Sequence, residues 1–265
     1  MPRRTINGAD IYYETHGDGP ETILFAHGLL WSGRMFDHQV RAFKDGFRCI
    51  TFDFRGQGKS GVTESGYDMD TLAKDAAGLI EALQCAPCHF LGLSMGGFVG
   101  MRLAIHHPDL IRSLILVETT ADPEPEENKG RYRLLNFIAR WFGLGLVADR
   151  VMPIMFGKKF LTDPKRSQEK QEWRARMIAN HRRGISRAVK GVVEREGIYD
   201  QLDRIAVPTL IIVGDQDTAT IPEKSRRMHA RIAGSKLVVI PGAGHTSTVE
   251  EPEAVNNALA AFLGR

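Results

Sequence analysis

A serine between two glycines is the first residue of this sequence that could act as a nucleophile. Residues 92–96 read Gly-Leu-Ser-Met-Gly, which is the pattern G-x-S-x-G centred on Ser94. An apolar run of strand length precedes the motif, and a helical segment, 98–107, follows it. This order predicts a nucleophile elbow, in which glycines allow strand and helix to approach closely. Because a serine hydroxyl is a weak nucleophile at neutral pH, the hypothesis requires a histidine base, an acid that orients it, and amide donors for an oxyanion.

Candidates for the base and the acid follow two later apolar runs of the chain. Residues 208–213 predict a buried strand, and the carboxylates Asp215 and Asp217 come directly after it. His245 follows a glycine-containing turn after a second predicted strand, 236–240. Either carboxylate would complete a Ser-His-Asp triad for acyl transfer, so the residues alone leave both open.

Strand-like and helix-like segments alternate along the chain, which predicts a mainly parallel, doubly wound sheet. Asn7-Gly8 predicts a β-hairpin near the beginning of the sequence, and Asp70 is expected to cap the helix that follows it. Further apolar runs have the length of buried strands: 22–26, 48–52 and 110–117. The carboxyl ends of parallel strands lie at one edge of such a sheet, so Ser94, the carboxylates and His245 are expected to meet there.

The sequence resembles the α/β-hydrolase family through motifs spread over the whole chain outside residues 122–203. His27-Gly28 follows the predicted strand 22–26, and residues 53–60 match the D-x-R-G-x-G-x-S loop that is common in that family. The order Ser, Asp, His is also that of the family. The resemblance implies an α/β-hydrolase fold, with an eight-stranded, mainly parallel, doubly wound sheet and a helical cap inserted after the sixth strand.

The resemblance also implies which side chains form the triad. Ser94 would be the nucleophile and His245 the base. The family pattern G-x-x-D after the seventh strand selects Asp217 as the acid and leaves Asp215 in reserve. Glu118, at the end of the sixth strand, is a weaker alternative because some relatives keep their acid there.

Two backbone amides would complete the site by the same resemblance. The N–H groups of Leu29 and Met95 are expected to form the oxyanion hole, and His27 is expected to brace the loop that carries Leu29. The reaction implied for this family requires neither a metal nor an organic cofactor.

Residues 122–203 differ in character from the rest of the sequence. They begin with a proline-rich acidic stretch, and the remainder is helical in character with no strand signal. We therefore expect them to form a cap, while residues 1–121 and 204–265 form the hydrolase core. Residues 122–200 contain 17 Lys and Arg against 11 Asp and Glu, a net charge of +6, which leaves −3 for the remainder. We interpret the basic residues as a solvated helix face.

Many large apolar residues lie in this predicted cap, and most are expected to pack it onto the core. A few are expected to line an apolar pocket above Ser94, since binding sites are mostly apolar with few polar groups. The predicted substrate-binding residues are Gly28, Leu30, Trp31, Trp141, Phe142 and Met155.

Two other motifs are discounted because their context is wrong. Gly56-x-Gly58-x-x-Gly61 follows a predicted strand, but no helix begins at Gly61, so we expect no dinucleotide site. Cys85 and Cys88 have the spacing of a redox pair or of half a zinc site, but there is no second pair to complete a zinc site.

Length and composition limit the remaining possibilities. The chain has 265 residues and a formal net charge of +3, which suits one α/β domain with an insertion and gives no indication of nucleic-acid binding. No apolar stretch is long enough to span a bilayer, and the first residues lack the core of a signal peptide. We therefore expect a cytoplasmic protein with a small-molecule substrate, without a nucleic-acid or membrane partner, and with its oligomeric state open.

Two segments around the predicted site are similar to those of 3-oxoadipate enol-lactonases, namely 217–222 and 245–250. The chain length and apolar cap are also similar to those of small bacterial carboxylesterases and of N-acyl homoserine lactone lactonases of this fold. The resemblance therefore implies a carboxylic ester hydrolase. Its substrate would be an ester or lactone with an acyl chain, cleaved through an acyl-enzyme.

Three alternatives remain at this level. A carbon-carbon hydrolase of meta-cleavage products would use the same triad. A cofactor-free perhydrolase would also share it, although such enzymes usually have an aromatic residue where this chain has Leu29. From a different class, a small-molecule receptor could use the fold without catalysis.

Overall fold

Eight strands form the central sheet of the computed structural model, which describes residues 2–264. They are β1 (Arg3–Ile6), β2 (Ala9–His16), β3 (Thr22–Ala26), β4 (Arg48–Phe52), β5 (Cys88–Leu93), β6 (Ile111–Val117), β7 (Thr209–Gly214) and β8 (Lys236–Ile240). Their order across the sheet is β1-β2-β4-β3-β5-β6-β7-β8. All neighbouring pairs are parallel except β1 with β2 and β2 with β4. The predicted eight-stranded, mainly parallel sheet is confirmed.

Eleven α-helices connect and cover these strands in the described part of the chain. They are α1 (Asp37–Phe43), α2 (Met69–Ala82), α3 (Met95–His106), α4 (Glu126–Phe142), α5 (Ala148–Met155), α6 (Lys158–Thr162), α7 (Ser167–Ile178), α8 (Arg182–Val193), α9 (Pro222–Arg231), α10 (Ser247–Glu250) and α11 (Pro252–Leu263). Helices α4–α8 all lie between β6 and β7, which agrees with the predicted insertion after the sixth strand. We call α4–α8 the helical insertion.

Side chains of the strands alternate between two apolar cores, one on each face of the sheet. Leu24 and Ile50 belong to the core that includes residues of α2, α3 and α9. Ile23 and Cys49 belong to the core that includes residues of α1, α11 and the helical insertion. Because both faces are covered by helices, the central strands read as continuous apolar runs.

The chain begins with the predicted hairpin, but one predicted helix cap is wrong. Asn7 and Gly8, with φ of 46° and 73°, join β1 to β2 in the left-handed conformation that this dipeptide favours. Helix α2 is capped by Asp68, whose carboxylate accepts the Thr71 N–H at 2.8 Å. Asp70 is already within the first turn, where its side chain cannot serve as the cap.

No helix within residues 2–264 is long and apolar enough to cross a bilayer. In the same range, no three His, Cys, Asp or Glu side chains form a group that could hold a metal ion. Cys85 and Cys88 are free thiols, and both are buried.

A buried ion pair anchors the loop 53–60, which lies beside the predicted site. The Arg55 guanidinium donates two hydrogen bonds of 2.6 Å to the two carboxylate oxygens of Asp75 in α2. The side chains of Arg55 and Asp75 are only 4% and 2% exposed. A buried ion pair contributes little more to stability than well-packed apolar residues in the same place would. Loss of one partner is costly, however, because the other charge stays buried and unpaired.

We therefore expect Asp75→Ala to lower the free energy of unfolding by about 3–5 kcal/mol, because Arg55 would remain buried without its partner. Urea unfolding of the two proteins measures the difference. Asp149→Ala is the matched control, since Asp149 pairs with Arg174 and the two side chains are 80% and 39% exposed, so no buried charge is left behind. That variant is expected to lose little stability, because an exposed ion pair contributes little. Equal losses in the two variants would contradict the assignment.

Candidate active site

Ser94 lies in the turn between β5 and α3 in a backbone conformation that few residues other than glycine adopt. Its φ and ψ are 51° and −111°. The end of β6 holds this turn in place, since the Ser94 N–H donates to the Val117 carbonyl at 2.9 Å. The Thr119 hydroxyl donates to the Ser94 carbonyl at 2.8 Å. Strain of this kind persists only where the surroundings over-determine the conformation, and it is concentrated at functional sites.

The two glycines of the motif are required by close approach of backbones. A Cβ atom on Gly92 would lie 2.2 Å from the Gly96 carbonyl oxygen, and one on Gly96 would lie 2.1 Å from the Ala26 carbonyl oxygen. No side chain fits at either position without moving β3 or α3. The sequence pattern therefore has a steric cause in this fold.

The structure brings Ser94, His245 and Asp217 together. His245 Nε2 is 2.9 Å from Ser94 Oγ, and His245 Nδ1 is 2.9 Å from Asp217 Oδ2. His245 and Asp217 are 4% and 3% exposed, whereas Ser94 is half-buried. With a proton on Nδ1, the imidazole donates to Asp217 and presents a lone pair to the serine hydroxyl. This arrangement can remove the serine proton when the hydroxyl attacks a carbonyl carbon.

The Asp217 carboxylate is surrounded by hydrogen-bond donors. Its Oδ1 accepts the N–H groups of Ala219 and Thr220 at 2.8 and 3.0 Å, and its Oδ2 accepts the Thr220 hydroxyl at 2.6 Å. Burial alone would raise the pKa of Asp217, but the neighbouring His245 and these hydrogen bonds lower it below its usual value. Asp217 is therefore an ionised carboxylate at neutral pH and well into the acidic range.

The reserve acid Asp215 has a different set of contacts. Its Oδ1 accepts the Gly242 N–H at 2.7 Å and so holds the turn after β8. Asp215 makes no hydrogen bond to His245 in the described chain. The geometry thus pairs His245 with Asp217.

Glu118, the other alternative acid, lies behind Asp217. It is fully buried, has a φ of 45°, and both of its carboxyl oxygens accept the Gly214 N–H at 2.9 Å. Its carboxyl group is also within hydrogen-bonding reach of Asp217. Burial, followed by the charge of Asp217, raises the pKa of Glu118 well above its usual value. In its neutral form Glu118 can donate a hydrogen bond to Asp217 and help to keep that carboxylate ionised.

Two backbone amides near Ser94 are available to a ligand. Met95 is the first residue of α3, where an amide has no intrahelical acceptor. The Leu29 N–H donates to no acceptor in the described part of the chain. Both amides lie in turns at the carboxyl ends of adjacent strands, β5 and β3.

Two buried side chains brace the loop that carries Leu29. His27 donates from Nδ1 to the Gly28 carbonyl at 2.7 Å, and its Nε2 accepts the Phe54 N–H at 2.9 Å. Burial lowers the pKa of His27, in keeping with a neutral ring that both donates and accepts. The Gln57 side-chain carbonyl accepts the Leu30 N–H at 2.9 Å. His27 thus makes the bracing contacts expected of it, while the role of Gln57 was not foreseen.

A third buried acidic side chain, Glu250, joins the helical insertion to the loop of His245. Glu250 accepts the N–H groups of Gly157, Gly244 and Thr246 at 2.7, 3.0 and 3.1 Å. Gly157 lies between α5 and α6, whereas Gly244 and Thr246 flank His245. The position of the histidine is therefore coupled to that of the insertion. No role was predicted for Glu250, because its partners are backbone amides and that of Gly157 is 93 residues away in the chain.

A cavity of 130 Å³ adjoins Ser94 and His245 beneath the helical insertion. Four of the predicted substrate-binding residues line it, namely Gly28, Leu30, Trp31 and Met155. Trp141 and Phe142 do not line this cavity, and they are 63% and 64% exposed. Their placement in the pocket is corrected because α4 turns them outward, while Leu135 and Ala139 of the same helix face the cavity.

The cavity also contains polar residues that the sequence analysis did not identify. Tyr132 and Asn136 lie on the inner face of α4. Their spacing with Leu135 and Ala139 follows the helical period, which is the signal that could have found them. At the cavity wall, Arg195 and Glu124 form an ion pair of 3.0 Å with side chains 3% and 12% exposed. The opposite charges of this pair balance each other at the cavity wall.

Comparison with known proteins gives a consistent result. A family model described as alpha/beta hydrolase fold matches residues 21–252. The 3-oxoadipate enol-lactonase 2 of Acinetobacter baylyi is 30% identical over 263 residues, which are 98% of this chain and 96% of that protein. A thermophilic esterase from Thermogutta terrifontis has a TM-score of 0.92 at 30% identity, with 99% and 98% of the two chains covered. The enol-lactonase from Burkholderia xenovorans LB400 has a TM-score of 0.93 at 27% identity over the whole of both chains.

The raised pKa of Glu118 predicts a specific dependence of stability on pH. Above pH 4.5, the ordinary pKa of glutamate, the unfolded chain loses this proton, while the native state keeps it up to the raised pKa of Glu118. The free energy of unfolding therefore falls as the pH rises through the window between these two pKa values. In Glu118→Gln this dependence is absent. The variant should therefore gain stability relative to the wild type with increasing pH, by about 1.4 kcal/mol per pH unit within the window. Urea unfolding across this pH range measures the trend.

Glu194→Gln is a control of opposite sign. A hydrogen bond from Arg133 lowers the pKa of Glu194, so this residue stabilises the fold above its unfolded pKa, and the contribution is lost as the pH falls. Its replacement should lose stability relative to the wild type as pH rises. If the free energies of unfolding of Glu118→Gln and the wild type differ by the same amount at every pH, Glu118 is not a buried neutral carboxyl group.

Proposed function

This chain belongs to the alpha/beta hydrolase fold family, and on that premise we propose that it is a serine hydrolase of carboxylic esters or lactones. The observation that carries the proposal is the hydrogen-bonded series Ser94–His245–Asp217 beside an apolar cavity. Two relatives at 30% identity, an enol-lactonase and an esterase, support this substrate class.

In the proposed first step, the Ser94 hydroxyl attacks the carbonyl carbon of the substrate. His245 Nε2 takes the serine proton as the new carbon-oxygen bond forms, and the carbonyl electron pair moves onto the oxygen. The amides of Leu29 and Met95 would donate to that oxyanion. Removal of one such donor has cost about 3–4 kcal/mol of transition-state stabilisation in another enzyme.

Collapse of this intermediate expels the leaving group. The carbonyl re-forms, the bond to the alcohol oxygen breaks, and that oxygen takes the proton from His245, which leaves an acyl group on Ser94. Water then enters, loses a proton to His245 and attacks the acyl carbon. The acid is released, and the proton returns to Ser94. Asp217 holds the Nδ1–H tautomer through the 2.9 Å contact and stabilises the imidazolium that forms in each step.

We propose that residues 122–203 act as a cap that shapes the acyl pocket. The insertion contributes apolar walls such as Leu135, Val151 and Met177. The cavity of 130 Å³ is slightly smaller than an engineered protein cavity of about 150 Å³ that holds benzene. A neutral acyl group of about four to six carbons therefore suits the space.

We expect Ser94→Ala to lower kcat for p-nitrophenyl butanoate by a factor of about 10⁴ or more, because the nucleophile is lost. Asp217→Asn should lower it by a factor of about 10⁴, because an asparagine no longer selects the required tautomer of His245. Asp215→Asn is the matched control and should change kcat little, since Asp215 contacts the Gly242 amide and not the histidine. Initial rates with the purified variants measure all three effects. Activity that survives in folded Ser94→Ala would exclude this serine as the nucleophile.

Chain-length preference tests the acyl pocket. With p-nitrophenyl esters from acetate to dodecanoate, kcat/KM should be greatest near butanoate or hexanoate and fall for longer chains. Leu135→Phe should move the optimum to shorter acyl groups, because Leu135 faces the cavity. Leu134→Phe is the matched control on the outer face, where the leucine is 57% exposed, and should leave the profile unchanged.

The same assays separate the alternatives. A folded wild-type protein that turns over no ester or lactone, but cleaves a carbon-carbon bond or uses hydrogen peroxide in place of water, would reassign the reaction. Binding of an ester or lactone without turnover would indicate a receptor.

A further inference from the structure

The outer face of α4 and the turn after it form the most apolar part of the described surface. Eight large apolar side chains are exposed among residues 2–264, and five of them lie within 134–146. These five, which are 56–68% exposed, are Leu134, Phe137, Trp141, Phe142 and Leu146. Scattered apolar residues are normal on a protein surface, but a contiguous patch of this kind marks an interaction site.

The helical period makes this patch a continuous stripe. With about 3.6 residues per turn, positions 134, 137, 138, 141 and 142 fall within one side of α4. The opposite side, with Leu135 and Ala139, lines the cavity beside Ser94. Helix α4 is therefore apolar on two sides, of which the fold buries one. We call the exposed side, together with Leu146, the α4 stripe.

Basic residues border the α4 stripe. Helices α4 and α8, which pack together, contain eight Lys and Arg and two Glu, and both Glu are in the first turn of α4. A surface groove of 390 Å³ runs between the two helices. Among its lining residues are Phe137 and Trp141 and four basic residues, Arg133, Arg140, Arg187 and Lys190. The one acidic residue of the groove, Glu194, is paired with Arg133, and Arg187 is paired with Glu64 from outside the groove. Arg140 and Lys190 make no ion pair within residues 2–264.

Charge decides which kind of partner fits. A second copy of the chain placed symmetrically on the stripe would bring the basic borders of two copies together, which is unfavourable. The segment 122–200 carries +6 while the remainder carries −3, so the protein would orient with this face toward a negative surface. Exposed Trp, Phe and Leu beside Arg and Lys are the composition of helices that lie in the interface of anionic membranes. No spanning helix is needed for such binding.

We propose that the α4 stripe docks the protein on an anionic lipid surface. Trp141 and its apolar neighbours enter the headgroup boundary, while Arg131, Arg140 and the other basic residues contact the acidic headgroups. The proposal departs from the expectation, drawn from the sequence, that the protein has no membrane partner. Docking does not depend on the proposed reaction, so it can succeed or fail independently of it.

Tryptophan fluorescence provides a direct test. Trp141 is the exposed tryptophan, while Trp31 and Trp173 are 3% and 7% exposed. Vesicles of phosphatidylcholine with phosphatidylglycerol should shift the emission to the blue and sediment with the protein. Vesicles of phosphatidylcholine alone should do neither, and high salt should weaken the binding.

Two pairs of variants identify the surface. Phe137→Ser should weaken partitioning into the anionic vesicles by about tenfold, while Val62→Ser, which removes an exposed apolar residue elsewhere, should not. Arg131→Gln should weaken it by about fivefold, while Lys236→Gln, an exposed lysine of β8, should have little effect. All four variants are expected to keep the circular dichroism spectrum and the urea unfolding midpoint of the wild type, which shows that they fold.

Three results would overturn the proposal. One is the absence of a shift with anionic vesicles, and another is equal binding to neutral and anionic vesicles. The third is a dimer in light scattering that Phe137→Ser dissociates, since the stripe would then be covered by a second copy of the chain.

Discussion

The buried negative charge of Asp217 is the interaction on which the rest of the site depends. A carboxylate with 3% exposure is stable only where donors replace water, and here they come from two backbone amides, a threonine hydroxyl and the His245 ring. A second carboxyl group, Glu118, lies close by, and two like charges cannot both persist there. The pKa values of the two acids therefore move apart, and the neutral one becomes a possible donor to the charged one.

The loops around this charge are held by buried polar side chains rather than by the sheet. His27 and Gln57 fix the turn that carries Leu29, and Glu250 fixes the turns on both sides of His245. Glu250 also accepts an amide of the helical insertion. Any displacement of the insertion would thus disturb the histidine loop, which ties the shape of the cavity to the position of His245 beside Ser94. Each contact leaves a buried group unsatisfied if it is broken, so the arrangement is costly to deform.

Helix α4 differs from an ordinary amphipathic helix because it has two apolar sides. Its inner side encloses the cavity, whose wall includes the ion pair of Arg195 with Glu124, and its outer side presents the α4 stripe. The single apolar stripe of an ordinary surface helix faces the core. The second apolar side of α4 faces outward, and this is the observation on which the proposed lipid docking rests.

The sequence by itself predicted the fold, the proposed nucleophile with its histidine, and the presence of an insertion after β6. These are short-range signals: the steric need for glycines around Ser94, the apolar runs of strands covered on both faces, and the loss of strand signal beyond residue 121. The residues alone left Asp215 open beside Asp217, and the family resemblance favoured Asp217. The tertiary structure pairs His245 with Asp217, because two carboxylates two residues apart differ only in where the turn after β7 directs them. Only the tertiary structure shows that Leu135 faces the cavity while Trp141 faces solvent. A helix with apolar residues on two sides does not indicate from its sequence which side will be buried. Burial and orientation are properties of packing, and packing is decided by residues far away in the chain.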